Sequence, residues 1–362
     1  MSIGHTLRRY LIDAQIGMRL LSYNINKKPF PLVTHLLVTN RCNLKCFYCY
    51  PQVFTREIVD ESLDDWKKTI DKFAEMGTKV FVILGGEPLI RTDIGEIIEY
   101  AWSKNTIVEL ITNGYYVKKR LKHLKYLDSL CFSLDGNEAQ NDAVRGKGSF
   151  KKVLEAIDLA KKEGINCRIH AVITRETTKS LLELCELAKK LDITINFTQA
   201  TVHTDDPDAT LTDEELVHSL NLLKELKEKG YPVTNSISAI DYIKNYPLKH
   251  YGIFKSKDVP IEARDKIKKC RRPYLTNYVD ADGTLYPCAN LWHKGENSIH
   301  DGGIEAAWKR QTEMDCYSCD ILGEADMNNL LYMSPKSIAT AIGHRWFKRS
   351  PSSEQSSSTL AK

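Results

Sequence analysis

Between residues 41 and 50 the chain reads Arg41-Cys42-Asn43-Leu44-Lys45-Cys46-Phe47-Tyr48-Cys49-Tyr50, with cysteines in the spacing C-x3-C-x2-C. This segment directly follows residues 32–39, a β-branched apolar run that predicts a first strand. Three thiolates in one loop can hold three irons of a cubane cluster, and the fourth iron then keeps an open position, as catalytic metal sites do. The spacing therefore predicts a catalytic iron–sulfur centre, with zinc or unligated cysteines as the alternative.

Strand and helix patterns alternate from this loop onward. Short β-branched runs predict strands at 32–39, 79–84, 107–112, 129–134, 166–174 and 193–198. Helical periodicity predicts helices near 63–76, 94–104, 117–127, 150–163, 178–191 and 213–229. Consecutive strand–helix units imply a parallel sheet with right-handed crossovers. Six units are fewer than the eight of a closed barrel, so we predict a partial (β/α)6 TIM-like barrel, with its chemistry at the carboxyl ends of the strands.

Glycines and polar residues stand where the second and third strands end. Gly85-Gly86-Glu87-Pro88 follows the second strand, and its glycines would let a ligand approach backbone carbonyls that can accept from an ammonium group. Thr112-Asn113-Gly114 closes the third strand. By themselves both segments are compatible with simple turns.

The fourth to sixth strands also carry polar residues on one face. Ser133 and Asp135 point the same way and suit a lumen that binds ribose or carboxylate. Arg145 offers an always-charged fork for a carboxylate, although alone it would be interpreted as a surface arginine. We expect Arg168 and His170 to face the lumen, with a hydrogen-bonded interior histidine as the alternative for His170. Weaker lumen candidates are Asn196 and Thr198.

Four further cysteines lie late in the chain, at Cys270, Cys288, Cys316 and Cys319. Asp282-Gly283 is a hairpin signal between the first two, and the last two form C-x2-C. Four thiolates can hold an iron–sulfur cluster, and a structural zinc site is an equal alternative on spacing alone. Cys131, Cys167 and Cys185 stand alone in apolar or helical surroundings and are expected in the core.

Composition limits the remaining possibilities. The chain has 362 residues, ten cysteines and a net charge of only +4, so a nucleic-acid partner is not expected. We find no secretory signal and no apolar stretch of membrane-spanning length, and we expect a cytoplasmic location. Disulfides are disfavoured in a reducing compartment, which makes metal binding the first explanation for the cysteines.

With an aromatic residue before its third cysteine, the first cysteine segment resembles the radical S-adenosylmethionine superfamily. The resemblance implies a 4Fe-4S cluster at Cys42, Cys46 and Cys49 that binds and cleaves S-adenosylmethionine, giving a 5′-deoxyadenosyl radical that abstracts substrate hydrogen. It implies an electron donor such as flavodoxin or ferredoxin. The residues that it implies for S-adenosylmethionine binding are Tyr48, Gly85, Gly86, Glu87, Asn113, Ser133, Asp135 and Arg145.

The late cysteines resemble the SPASM extension of one large subgroup, in its shorter twitch form with one auxiliary 4Fe-4S cluster. We therefore predict a barrel at 29–229, a linker at 230–269 and a cysteine-rich domain at 270–322. The resemblance is compatible with oxidation or modification of a small molecule or peptide. Only about 30 residues precede the barrel, which disfavours the version with an N-terminal peptide-binding domain. The competing class is a non-catalytic iron–sulfur electron carrier or scaffold.

The two ends of the chain leave a membrane alternative open. Residues 4–24, within an N-terminal region 1–28, predict an amphipathic helix with Leu7, Tyr10, Leu11, Ala14, Met18 and Leu21 on one face. Arg8, Arg9 and Arg19 lie beside that face, and Lys27 and Lys28 follow. Residues 330–349, within a terminal region 323–362, mix apolar and basic residues, and 350–362 predict a disordered tail. These segments either cap the open barrel or lie on a membrane surface, which would favour a lipid or isoprenoid substrate.

Overall fold

A parallel sheet follows the order of the sequence through most of the chain. The computed structural model describes residues 3–49, 51–200, 210–248, 252–292 and 297–333. Within these residues the strands are β1 (Val33–Leu37), β2 (Val80–Leu84), β3 (Ile107–Thr112), β4 (Ser129–Ser133), β5 (Cys167–Ile173), β6 (Thr194–Gln199), β7 (Ile253–Phe254), β8 (Thr276–Val279), β9 (Leu285–Tyr286) and β10 (Ser318–Cys319).

The strands β1 to β6 match the six predicted strands and pair in parallel, each with its neighbour in sequence. The helices in the described residues are α1 (Ile3–Asn26), α2 (Leu63–Met76), α3 (Ile94–Ser103), α4 (Val117–Arg120), α5 (Glu138–Arg145), α6 (Ser149–Lys162), α7 (Leu181–Lys190), α8 (Asp213–Glu228), α9 (Ile237–Lys244), α10 (Arg272–Leu275), α11 (Ile304–Thr312) and α12 (Leu322–Leu331). The predicted partial barrel is therefore confirmed, with α4 shorter than expected and α5 and α9 added.

The main hydrophobic core lies between the outer face of the sheet and the crossover helices. Leu36, Phe81 and Phe132 from the strands are fully buried there against Trp66 and Phe73 of α2 and their neighbours. Burying each such side chain contributes roughly 1.5–3 kcal/mol. The inner face differs, because on β5 the outward residues are buried and the alternate residues are partly exposed. The strands thus present an apolar outer face and an accessible lumen.

The cysteine-rich C-terminal region continues this sheet. Strand β8 pairs in parallel with β1, and β9 pairs antiparallel with β8, which gives the order β6-β5-β4-β3-β2-β1-β8-β9. At the opposite edge, the Gln199 side chain donates to the Asp320 carbonyl at 2.7 Å and accepts from the Leu322 amide at 2.9 Å. The C-terminal region therefore contacts both ends of the six-stranded sheet, and the division at 229 and 270 remains a prediction.

Helix α1 forms as predicted, but its apolar face does not cap the barrel. Leu7, Leu11, Met18 and Leu21 are 54–63% exposed, and Tyr10 and Ala14 are exposed with them. The buried side chains are Ile12, Leu20 and Tyr23, on the other side of the helix. The helix is therefore anchored through residues other than the predicted apolar face, which stays exposed.

The basic residues of α1 are largely engaged within the protein. Arg8 and Arg9 pair with Asp128 at 3.4 and 3.5 Å, and the Arg19 guanidinium lies 5.6 Å from the Phe30 ring. Among the described residues, no helix combines the length and hydropathy needed to cross a membrane. The membrane alternative gains no support from these contacts. The predictions for 334–349 and for the tail at 350–362 fall outside the described residues.

Candidate active site at the carboxyl ends of the strands

The three cysteines of the first segment lie together in the loop after β1. The amide of Cys49 donates to the Cys46 carbonyl at 3.1 Å, and the amide of Leu44 donates to the Cys42 sulfur at 3.4 Å. Burial raises the pKa of Cys42 to about 12 and that of Cys49 to about 11, and it also raises the pKa of Cys46. All three are free thiols. Without a metal they would stay protonated at neutral pH.

The Gly85-Gly86 pair packs directly against this loop. The Gly86 amide donates to the Thr39 carbonyl and the Glu87 amide to the Arg41 carbonyl, each at 2.8 Å. A Cβ atom on Gly86 would overlap the Arg41 carbonyl and lie 3.0 Å from the Cys42 Cβ. Gly85 has φ +155°, and a Cβ there would lie 2.7 Å from the Thr39 carbonyl oxygen. The glycines therefore allow a close approach of β2 to the cysteine loop that no larger residue permits.

The Glu87 carboxylate ties the ends of β2 and β3 together. It accepts from the Thr112 hydroxyl and the Asn113 amide, both at 2.8 Å, and from the Leu89 amide at 3.0 Å. Burial raises the pKa of Glu87 to about 7. The Asn113 side chain in turn donates to the Asn43 side chain of the cysteine loop at 2.9 Å. Glu87 and Asn113 thus hold the loop in place, and the carboxylate faces the protein.

A second network links the cysteine loop to β4 and β5. The Asp135 carboxylate accepts a hydrogen bond from the Tyr48 hydroxyl. It also accepts from Arg145, from Nε at 2.6 Å and from Nη2 at 3.1 Å. It also accepts from the Val172 amide at 2.8 Å. Arg145 was expected to face a ligand carboxylate, and here its Nε and Nη2 atoms face Asp135 instead. Ser133 lies partly exposed at the end of β4.

Polar side chains also meet deeper in the lumen. Arg168 donates to Glu109 at 2.9 Å and to the Asn196 oxygen at 3.2 Å, and Asn196 contacts His170 Nδ1 at 2.7 Å. This confirms that Arg168 and His170 share the lumen face. Sequence reasoning missed Glu109, although a carboxylate inside the apolar run Ile107–Thr112 was a usable signal.

The four late cysteines also come together. Cys270, Cys288 and Cys316 belong to one buried cluster, and Cys319 lies near enough to help raise the pKa of Cys316. Burial raises the pKa of Cys288 to about 12. Beside them lies a buried ion pair that the sequence did not reveal, Arg272 with Glu324 at 2.6 Å.

Across the part of the chain that the structure describes, no three His, Cys, Asp or Glu side chains converge as they would around a single metal ion. A four-iron cubane differs from such a site because each cysteine ligates a different iron.

Comparisons with known proteins agree with this arrangement. The family model of the Radical SAM superfamily matches residues 36–188. Fe-coproporphyrin III synthase of Methanosarcina barkeri is 31% identical over 238 residues, which cover 62% of this chain and 59% of that protein. GTP 3′,8-cyclase of Aliarcobacter butzleri is 30% identical over 268 residues, which cover 69% of this chain and 78% of that protein.

Solved structures show the same fold. Streptococcus suis SuiB bound to S-adenosylmethionine superposes with a TM-score of 0.60 at 18% identity, covering 78% of this chain and 66% of that one. A partial barrel with a three-cysteine loop after its first strand defines a class of iron–sulfur enzymes. The chain belongs to the radical SAM superfamily, a family of enzymes that use a 4Fe-4S cluster and S-adenosylmethionine. It spans less than two thirds of the length of the M. barkeri relative.

Proposed function

We propose that this chain binds a 4Fe-4S cluster through Cys42, Cys46 and Cys49 and uses it to cleave S-adenosylmethionine reductively. The observation that carries the proposal is the close packing of Gly85-Gly86 against the three-cysteine loop at the carboxyl ends of β1 and β2. When bound, the cluster and S-adenosylmethionine would supply a 5′-deoxyadenosyl radical that abstracts hydrogen from the substrate. The protein supplies binding, orientation and protection from side reactions.

The thiols fit a cluster by their number and by their place in one loop. Since only thiolates ligate iron, cluster assembly would displace protons from three sulfurs whose pKa values burial has raised. A reducing partner such as flavodoxin or ferredoxin would deliver the electron.

The S-adenosylmethionine site would line the same end of the sheet. Gly85 and Gly86 would offer backbone carbonyls, and Glu87 would hold the end of β2 against β3. The other residues of the proposed site lie between the end of β3 and the end of α5: Asn113, Ser133, Asp135 and Arg145. Arg145 would meet the methionine carboxylate through Nη1, which Asp135 does not engage. Asp135 and Tyr48 would then hold the guanidinium in position.

An auxiliary 4Fe-4S cluster would occupy Cys270, Cys288, Cys316 and Cys319, as in a twitch or SPASM-type domain. Four thiols close together, in a region joined to the barrel through β8 and Gln199, support a site that exchanges electrons with a substrate in the lumen. Zinc is the other ligand that four cysteines accept, and metal analysis separates the two.

The decisive experiment is anaerobic reconstitution followed by reaction with S-adenosylmethionine and dithionite. We expect 5′-deoxyadenosine and methionine as products and about eight irons and eight sulfides per chain. An electron carrier would give no 5′-deoxyadenosine, and its reduced spectrum would not change on addition of S-adenosylmethionine. Four irons with one zinc would contradict the auxiliary cluster alone.

A further inference from the structure

Four polar side chains cross the lumen faces of β3, β5 and β6, and we refer to them as the lumen row: Glu109, Arg168, Asn196 and His170. They form one continuous chain of contacts, from Glu109 through Arg168 and Asn196 to His170, at 2.9, 3.2 and 2.7 Å. Each lies on the partly exposed face of its strand. None belongs to the groups proposed above to hold the cluster or S-adenosylmethionine.

The lumen row carries no net charge. Glu109 neutralises Arg168, and the neighbouring Cys131 together with Glu109 raises the pKa of Arg168 in spite of its burial. Burial and the neighbouring Arg168 lower the pKa of His170 to about 4, so its imidazole is neutral at physiological pH. An anionic ligand would have to compete with Glu109 for the Arg168 guanidinium.

The contacts also determine which nitrogen of His170 carries the proton. An arginine nitrogen can only donate, so the Asn196 atom facing Arg168 must be the oxygen. The Asn196 nitrogen therefore faces His170, and because an amide nitrogen only donates, Nδ1 must accept. A neutral imidazole that accepts at Nδ1 carries its proton at Nε2, so His170 is a neutral Nε2–H donor.

The row adjoins the proposed S-adenosylmethionine residues. His170 is in register with Ser133, and Val172, two residues further along β5, donates its amide to Asp135 at 2.8 Å. Two residues along a strand correspond to about 7 Å. A molecule resting on the row at His170 would therefore lie about two residues along β5 from the strand's contact with Asp135.

We infer that the lumen row is the floor of the substrate site and that His170 Nε2–H selects a substrate with an uncharged oxygen acceptor, such as an amide carbonyl. The inference rests on the proposed function for the reaction that the substrate would undergo. The hydrogen-bonding chemistry of the row does not depend on that function. It points to a substrate segment bearing an amide or a comparable neutral carbonyl at the point that reaches the floor, rather than a carboxylate or phosphate.

The tautomer is tested by 15N NMR of the reconstituted, unreduced protein labelled at histidine. The His170 signal is identified by its loss in His170→Gln. We expect a neutral ring protonated at Nε2 and unchanged between pH 6 and pH 8, in keeping with a pKa of about 4. Asn196→Asp, which replaces the donor to Nδ1 by an acceptor, should place a proton on Nδ1. A wild-type ring protonated at Nδ1, or charged in this range, would overturn the inference.

The ligand class is tested by titrating three small probes, N-methylacetamide, acetate and inorganic phosphate, while following the same His170 signal. We expect a saturable shift with the amide and none with either anion. Preferential binding of acetate or phosphate would overturn the inference, and so would the absence of any amide shift up to molar concentration.

Variants assign the effect to the donor. Amide binding, followed in these variants by the backbone amides of β5, should weaken about tenfold in His170→Leu and by no more than about threefold in His170→Gln, which keeps an N–H donor. Thr194→Val, on the same face of β6 but outside the row, should bind the amide like the wild type. Equal loss in the leucine and glutamine variants would contradict a role for the N–H. Wild-type 5′-deoxyadenosine formation tests the proposed function separately, because the probes report on the row whether or not that reaction occurs.

Discussion

The two cysteine groups of this protein are built in opposite ways. Cys42, Cys46 and Cys49 come from one loop and are partly exposed, whereas Cys270, Cys288 and Cys316 are buried and come from separated segments. The loop site owes its shape to local sequence and to the close approach of Gly86. The C-terminal site depends on long-range contacts, among them the buried pair of Arg272 with Glu324. A change in local packing should therefore disturb the first site, whereas the second site should depend on the stability of the whole fold.

The largest expected effect separates the two sites directly. Cys42→Ala should reduce 5′-deoxyadenosine formation to below about one hundredth of the wild-type rate, because one iron of the catalytic cluster loses its ligand. Cys316→Ala should remove about half of the iron and still permit uncoupled cleavage of S-adenosylmethionine. Anaerobic product and iron assays measure both. Cys185→Ala, at a buried cysteine of α7, is the control, and equal loss of cleavage in the Cys42 and Cys316 variants would erase the distinction.

The second effect tests whether the loop site depends on local packing. Gly86→Ala should lower S-adenosylmethionine cleavage by about tenfold to a hundredfold, since the new methyl group must displace the Arg41 carbonyl and the cysteine loop. Gly17→Ala is a matched control in helix α1, where no atom lies within 4 Å of the new methyl group. The control should leave cleavage unchanged and stabilise the helix by about 0.5–1 kcal/mol. Unchanged cleavage in the Gly86 variant would show that the close approach is dispensable.

A third experiment tests the long-range character of the C-terminal site. Arg272→Met leaves the Glu324 carboxylate buried without its partner, and we expect a loss of about 3–5 kcal/mol in the free energy of unfolding. Denaturant unfolding measures this loss, and the loop site should still bind iron under native conditions. Lys72→Met breaks the exposed pair with Glu305 and should have little effect. Full stability of the Arg272 variant would argue against the proposed dependence.

The smallest expected effect concerns the link between the loop and β4. Tyr48→Phe removes the hydroxyl that donates to Asp135 and should weaken S-adenosylmethionine binding about threefold to tenfold. Equilibrium binding to the reconstituted protein measures the change. Tyr100→Phe breaks a comparable tyrosine–aspartate hydrogen bond, to Asp71 at 2.8 Å, far along the chain from the site. The two variants should differ, and identical affinities would remove Tyr48 from the binding network.

The sequence predicted the parts that depend on local pattern. Six strands and the cysteine loop were located because β-branched runs and thiol spacing are local signals. The parallel pairing of β8 with β1 was not predicted, because it joins residues some 240 positions apart, such as Val33 and Thr276. The apolar face of α1 was predicted, but its exposure was not, because periodicity identifies an apolar face without showing what covers it. The pairing of Arg145 with Asp135 was also missed, because it depends on α5, a helix that the sequence analysis did not predict and that brings Arg145 back to Asp135.

The coverage of both margins of the six-stranded sheet has a consequence for solubility. Strand β8 satisfies the outer hydrogen-bonding groups of β1, and on β6 the Ile195 amide donates to Pro232 while its carbonyl accepts from Thr234. Unsatisfied strand margins template intermolecular pairing and aggregation. A chain shortened before residue 270 would expose the backbone hydrogen-bonding groups of β1 to solvent. We therefore expect such a chain to aggregate more readily than the full chain.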